Sequence, residues 1–348
     1  MHTALISTVL LAAFVSTATA APTFPGDEWK TADPVAAGWS KEKLGVVREY
    51  VHTIGSTALM IVQDGRVIAS WGDVTQRVRV ASIRKSLLSG LYGIAVAEGR
   101  IDLRKTLREL DIDDKPPALT DAEKEATIRD LLMARSGVYH EAAGEVDSNR
   151  QRRPVRGSHA HGTYWYYNNW DFNALGTIYR QLTDEDIFAA VESRIARPIG
   201  MQDFTAENGT YVLGPASVHP AYHMHFTARD LARFGWLYLN NGRWGDRQVV
   251  PAAWVSDSTK PLSTVDAQMG YGYMWWVSKQ DAQLGVKLGD SAYSARGFGG
   301  QYIFVIPGSN LVVVHLHAKQ IPHPEATLKE LLQHIMAAAP WKVRRPGR

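Results

Sequence analysis

What most constrains this chain is the position of its strand-forming residues, which lie near both ends with a long helical stretch between them. Residues 58–62 and 67–71 are short β-prone runs around Asp64-Gly65, a pair suited to the positive φ angles of a tight hairpin. Near the other end, residues 271–277, 302–306 and 311–316 are rich in aromatic and β-branched side chains. Pro307-Gly308-Ser309-Asn310 supplies a turn between the last two. Val78 and Val80 suggest one more short extended piece.

Helical periodicity marks residues 82–97, 128–134, 170–181, 184–195 and 228–239, and the longest connection is 142–162. Two further helices flank the strand regions. Residues 40–53 carry a stripe of Leu44, Val47, Tyr50 and Val51 behind Ser40 as N-cap, and residues 325–337 close the chain. The pattern predicts an α/β plus all-α organisation, with an antiparallel sheet assembled from both chain ends and flanked by helices. The expected sheet domain comprises residues 37–81 and 266–340, and an inserted, mainly helical domain comprises 82–265. A site is expected in the cleft between them.

Several function classes are disfavoured by composition. Of 348 residues 45% are hydrophobic, enough for a substantial core. Basic and acidic side chains number 38 and 35, so no strong field favours nucleic acid or anionic lipid as a partner. The basic cluster Lys342, Arg344, Arg345 and Arg348 reads as a solvated tail. Cysteine is absent, which rules out disulfides, thiolate chemistry and cysteine-ligated metal. Residues 1–20 read as a signal peptide: an apolar run from Ala4 to Val15, too short for a membrane span, leads to the small residues Ala18 and Ala20. No later stretch is apolar enough to span a bilayer, so the expectation is an exported, periplasmic or secreted protein.

Ser-x-x-Lys occurs twice. Ser40-Lys41-Glu42-Lys43 opens a helix with a charged, solvated first turn. Ser82-Ile83-Arg84-Lys85 follows an extended piece and opens an apolar helix, where a spacing of three sets both side chains on one face. A serine hydroxyl needs a base to become nucleophilic, and a lysine serves if desolvation or a nearby positive group keeps it neutral. An ammonium on an apolar helix needs a buried reason. The run Thr163-Tyr164-Trp165-Tyr166-Tyr167-Asn168-Asn169-Trp170 holds two overlapping Tyr-x-Asn triplets, Tyr166/Asn168 and Tyr167/Asn169. A phenol there can relay a proton and an amide can hold a substrate carbonyl. Tyr238-Leu239-Asn240 also fits the pattern but sits late in a helix, where core packing is the better reading.

Three motifs in order carry a resemblance. Ser82-Ile83-Arg84-Lys85, then residues 131–138 (Leu-Leu-Met-Ala-Arg-Ser-Gly-Val), then Tyr167-Asn168-Asn169 followed by Leu175-Gly176, resemble the class C β-lactamase-related serine hydrolases. That group includes penicillin-binding proteins, DD-peptidases, esterases and 6-aminohexanoate-dimer hydrolases. The resemblance spans roughly residues 37–338 and selects the Tyr167/Asn169 register, because the Leu-Gly pair follows it at the family's spacing. It implies a β-lactamase/transpeptidase-like fold, Ser82 as nucleophile, Lys85 and Tyr167 as proton-transfer groups and Asn169 as a substrate contact. At the family's third motif stands Ala295-Arg296-Gly297-Phe298. The resemblance puts an oxyanion hole at the N–H groups of Ser82 and Phe298, and a substrate-facing role on Arg296, Gly297 and Phe298. The usual lysine of that motif is replaced by Ala295, which favours ester or amide substrates over β-lactams and D-alanyl peptides.

The function expected is therefore hydrolysis of a small ester, amide or peptide-like substrate through an acyl-serine, with no cofactor. A β-lactamase or DD-peptidase, and a catalytically silent sensor or binding module on the same fold, are the alternatives. A rival chemistry rests on the pairs His159/His161, His223/His225 and His315/His317, whose spacing of two would aim both rings of a strand the same way, as metal ligands require. No acidic ligand stands near them at a familiar metallohydrolase spacing, so ordinary hydrogen-bonded histidines are the preferred reading. Asn208-Gly209-Thr210 reads as a turn.

Overall fold

The computed structural model describes residues 22–289, 291–319, 321 and 323–340. The expected leader at residues 1–20 and the basic cluster after residue 341 lie outside this range. Eight strands form the main sheet: β1 (Ala58–Gln63), β2 (Arg66–Gly72), β3 (Ser263–Thr264), β4 (Met269–Tyr271), β5 (Trp276–Ser278), β6 (Tyr293–Gly297), β7 (Gln301–Ile306) and β8 (Leu311–Leu316). Their spatial order is β2-β1-β8-β7-β6-β5-β4-β3, and every pairing is antiparallel. The first two strands thus join the last six at β1–β8, where Ala58 pairs Leu316 and Gln63 pairs Leu311. Asp64 and Gly65, at φ 52° and 75°, make the β1–β2 turn.

Alternation along the strands gives the sheet two apolar faces. Leu59, Ile61, Phe304, Ile306, Leu311 and Val313 pack with Leu44, Val47 and Val51 of α1 (Lys41–Thr53) and with the last helix, Pro324–Ala338. Ala58, Met60, Val62, Ile303, Val305, Val312 and Val314 face the opposite core, with the helical residues. Within that core lie α2 (Ile83–Ala97), α3 (Asn169–Thr183) and α4 (Ala228–Leu239), and α4 packs directly on β1, β7 and β8. A sheet buried on both faces needs near-continuous apolar strands, as β8 (Leu-Val-Val-Val-His-Leu) and β7 provide.

Local departures from the sequence reading have tertiary causes. Residues 271–277 are not one strand but the turn of a hairpin, β4 to β5. Met274 takes φ 62° and donates its N–H to Leu132 O at 3.2 Å, while Gly272 N–H bonds Trp275 O at 2.9 Å. The helix expected over 184–195 is Ile187–Ala190 continued by a π-helical turn, Val191–Ala196; Asp184 adopts φ 52° and Asp186 supplies the N-cap. The helix at Ile128–Leu132 stops early because Ala134 turns to φ 55°. Within the long connection, Asp147–Arg152 is helical. Tyr238 is buried in the core, as read.

Candidate active site

A strained turn presents Ser82. Val80 N–H is tied to Met224 O at 3.1 Å, and Ala81, a residue with a Cβ, takes φ 47° before α2 begins at Ile83. Non-glycine residues in this region carry strain that persists only where surrounding contacts fix them, a feature that clusters at functional sites. One helical turn on, Lys85 is 1% exposed. Its Nζ lies 3.0 Å from Ser82 Oγ, 2.8 Å from the Tyr167 hydroxyl and 2.8 Å from Asn169 Oδ1. The amine also stands 4.3 Å from the centre of the Tyr167 ring and 4.2 Å from that of Phe172.

Burial, and then the adjacent Arg84 guanidinium, hold the Lys85 amine well below the ordinary lysine range, with Glu145 opposing weakly. Tyr167 moves the other way. Burial pushes its phenol up to about 12, against the Ser82 hydrogen bond and Arg84. The hydrogen bonds suit a neutral amine, which has two N–H groups and one lone pair. Asn169 Oδ1 and the Tyr167 oxygen can accept the two N–H groups, which leaves the lone pair for the proton of Ser82.

Local sequence sets the Tyr-x-Asn loop. Asn168 caps α3: its Oδ1 accepts from Trp170 N at 3.2 Å, while its Nδ2 donates to Val138 O and to Asp171 Oδ1. Ser136 Oγ donates to the same Asp171 oxygen at 2.5 Å, so the segment before the loop clamps it from beneath. Asp171 is fully buried, and burial raises its carboxyl well above the usual range. The other register is occupied elsewhere: Tyr166 donates to Asn149 O at 2.8 Å, and Asn168 is the cap. Ser82, Lys85, Tyr167 and Asn169 are the four residues brought together.

The third motif closes the opposite wall. At the end of β6, Gly297 lies so close to the segment before Ser82 that a Cβ there would stand 2.3 Å from Val80 O. Phe298, 46% exposed, sits on the rim. Ala295 is buried in the core, whereas Arg296 lines the cleft. Its Nε donates to Ser294 Oγ at 3.0 Å and a terminal nitrogen donates to Gln283 Oε1 at 3.3 Å, with the guanidinium 4.9 Å from the Trp276 ring. The cleft shared by all these residues has a volume of about 1730 Å³.

Sequence reasoning missed Arg84, Phe172, His223 and Trp276 at this site. Arg84 had a usable signal, as an arginine flanking the lysine on an apolar helix, and His223 was noticed only as half of a histidine pair; Phe172 and Trp276 arrive through tertiary packing. Of the paired histidines, His161 meets Asp130 at 3.1 Å, His159 meets Tyr139 at 3.0 Å, and His315 bridges Ser56 Oγ and Gly300 O. Among the described residues, no three His, Asp or Glu side chains gather as a metal site would require, and no helix is long and apolar enough to cross a membrane.

A serine on a strained turn, its amine buried one helical turn away and a phenol against both, set beside a sheet drawn from the two chain ends, defines a serine hydrolase of the β-lactamase/transpeptidase-like fold. The chain belongs to the β-lactamase family, whose family model, described as Beta-lactamase, matches residues 45–337. Solved structures share the fold at low identity. A Bacillus anthracis protein provisionally described as a 6-aminohexanoate-dimer hydrolase is 20% identical with a TM-score of 0.68, over 90% of this chain and 89% of that one. A β-lactamase/D-alanine carboxypeptidase from Pseudomonas syringae is 18% identical with a TM-score of 0.66, over 86% and 100%. EstCE1, a hydrolase with promiscuous acyltransferase activity, is 14% identical with a TM-score of 0.63, over 88% and 100%. A curated relative, an uncharacterised protein of Alkalihalophilus pseudofirmus, is 24% identical over 98 residues, 26% of this chain and 29% of that protein.

Proposed function

We propose that this protein hydrolyses an ester or amide through an acyl intermediate on Ser82. The observation that carries the reading is the Lys85 amine, buried, depressed in pKa and 3.0 Å from Ser82 Oγ. Neutral Lys85 takes the Ser82 proton as Oγ attacks the substrate carbonyl. Tyr167, whose phenol stays protonated, donates toward the leaving group and is reprotonated through Lys85. The N–H groups of Ser82 and Phe298 receive the oxyanion, where one such donor is typically worth about 3 kcal/mol. Asn169, Arg296, Gly297 and Phe298 line the acyl and leaving-group subsites. Water then attacks the acyl-enzyme and the same groups return its proton.

Ala295 at the position of the third-motif lysine favours an ester or amide over a β-lactam. The reading also holds the sheet domain (37–81 and 266–340) and the helical domain (82–265) to be the two walls of the cleft, with β3 (Ser263–Thr264) and α4 of the second range joining the sheet side. It places the mature protein outside the cytoplasm, on the apolar leader expected at residues 1–20.

Mass spectrometry of the purified protein after incubation with p-nitrophenyl esters and β-lactams tests the reading. The expected result is an acyl adduct on the peptide containing Ser82 with esters, with Ser82→Ala losing adduct and turnover, on the order of 10³-fold or more. An adduct on another residue would overturn the assignment of Ser82, and none with any acyl donor or fluorophosphonate would leave the silent binding module in its place. Stable β-lactam adducts or rapid β-lactam turnover would shift the substrate class.

A further inference from the structure

The cleft is unevenly charged. Arg79, Arg84, Arg135, Arg152 and Arg296 line it, against the carboxylates of Asp266 and Glu325. None of these five arginines forms an ion pair among the described residues, whereas arginines that do not line the cleft do: Arg153 with Glu145, Arg156 with Glu123, Arg194 with Glu185. Exposed rim arginines are cheap to leave unpaired, because water solvates them. Arg84 is different.

Arg84 is 5% exposed. One terminal nitrogen donates to Ala81 O at 3.0 Å, and the guanidinium lies 4.9 Å from the Tyr222 ring. Its Nε is buried and has no hydrogen-bond partner, and the same is true of Nδ1 of His223, which lines the same wall. Burial and Arg84 hold His223 down to about 4, so its ring is neutral at physiological pH and does not add to the charge. A desolvated cation facing a cleft with no carboxylate against it is costly and is retained where a ligand completes it. Arg296, by contrast, is held by Ser294, Gln283 and Trp276, which fix its plane.

We propose that the substrate carries a carboxylate and that Arg84, rather than Arg296, is the residue that pairs with it. This deepens the reading of the cleft as an acyl hydrolase and rests on it: the hydrolysed bond then lies in a half-ester or half-amide of a dicarboxylic acid, or in an ester or amide whose leaving group bears the acid. Arg79, Arg135 and Arg152 around the mouth add a positive field that draws such an anion in, an effect that weakens with salt.

The test compares mono-p-nitrophenyl adipate with p-nitrophenyl hexanoate, which match in acyl length and differ by one carboxylate. Wild type is expected to favour the adipate at least tenfold in kcat/KM, Arg84→Gln to lose most of that preference, and Arg84→Lys to keep more of it than Gln. Equal rates on the two esters in wild type, a preference unchanged in Arg84→Gln, or a lysine variant no better than Gln, overturns the assignment. Calorimetric titration of adipate itself reads the pairing without turnover. Binding by wild type and tenfold weaker binding by Arg84→Gln supports Arg84 even if neither ester is cleaved, an outcome that would count against the hydrolase reading alone. No binding of adipate by a wild type that hydrolyses both esters alike sinks the carboxylate proposal and leaves the hydrolase standing.

Discussion

Replacing Gly297 by Ala asks whether the cleft depends on how closely β6 approaches the nucleophile turn. The added Cβ would lie 2.3 Å from Val80 O and 2.8 Å from Gln301 Cβ. An unstrained contact needs roughly 1 Å more than the first distance allows. Val80 cannot easily retreat, since its N–H is bonded to Met224 O and its carbonyl accepts from Ile83 N–H at 3.1 Å. The strand therefore moves, carrying Phe298 and its N–H with it. A displacement of about 1 Å at a reacting group costs on the order of 10²-fold, equivalent to about 2.7 kcal/mol of barrier. Overpacking should cost a further 1–3 kcal/mol of stability, roughly, and a chain of this size then melts a few degrees lower. The assay is kcat and KM on a p-nitrophenyl ester, with thermal unfolding followed by circular dichroism. Gly45→Ala in α1 is the control: its Cβ meets nothing within 4 Å, so activity should hold and stability rise by about 0.5–1 kcal/mol. A Gly297→Ala enzyme within about threefold of wild type in kcat/KM would refute the idea that catalysis needs this contact.

Two further predictions follow from the charge states. Because Lys85 must be neutral to accept the Ser82 proton and its pKa is depressed, kcat/KM should fall as pH drops through a value well below the ordinary lysine range; Tyr167, at about 12, should add no alkaline limb in the accessible range. An acid limb near the free-lysine value in a pH–rate profile would show that burial does not hold the amine neutral, and the absence of an acid limb would remove Lys85 from the role of base. Asp171 is fully buried with its carboxyl raised, one oxygen taking both hydrogen bonds and the other without a partner, so Asp171→Asn should fold within about 1 kcal/mol of wild type. Asp171→Ala, which strips the partner from Ser136 and Asn168, should lose roughly 2–4 kcal/mol in denaturant unfolding; equal losses for the two variants would show that the charge matters.

Much of the fold was legible because its signals are local. Asp64-Gly65 sets the β1–β2 turn whatever lies around it, and the alternation in β1, β7 and β8 follows from two buried faces. The hairpin at residues 269–278 was not legible, since residues 271–277, five of them aromatic or glycine, read as one extended run until Leu132, far off in sequence, accepts a bond from Met274. The same limit applied at the cleft. Ser82, Lys85 and the Tyr-x-Asn loop could be picked out by spacing and order, whereas the two rings that pack against the amine and the unpaired edge of Arg84 depend on where three separate elements meet.

The two Ser-x-x-Lys sequences show what spacing leaves undetermined. Ser40 accepts the backbone N–H of Lys43 at 3.3 Å as an ordinary helix cap, and the Lys43 side chain runs out into solvent from a helix with only one apolar face. In α2 the first turn has no solvated side: Ile83, Arg84, Lys85 and Ser86 are all buried. A lysine normally keeps its ammonium in water by extending its stem, and Lys85 has no such path. Held between the rings of Tyr167 and Phe172, its amine is pushed by burial well below the ordinary lysine range, and in the proposed mechanism the neutral amine beside the serine hydroxyl is the base. The chemistry therefore resides less in the four-residue pattern than in the packing that closes off α2, and a change that opened that helix turn to water would disarm the serine without touching either residue of the pair.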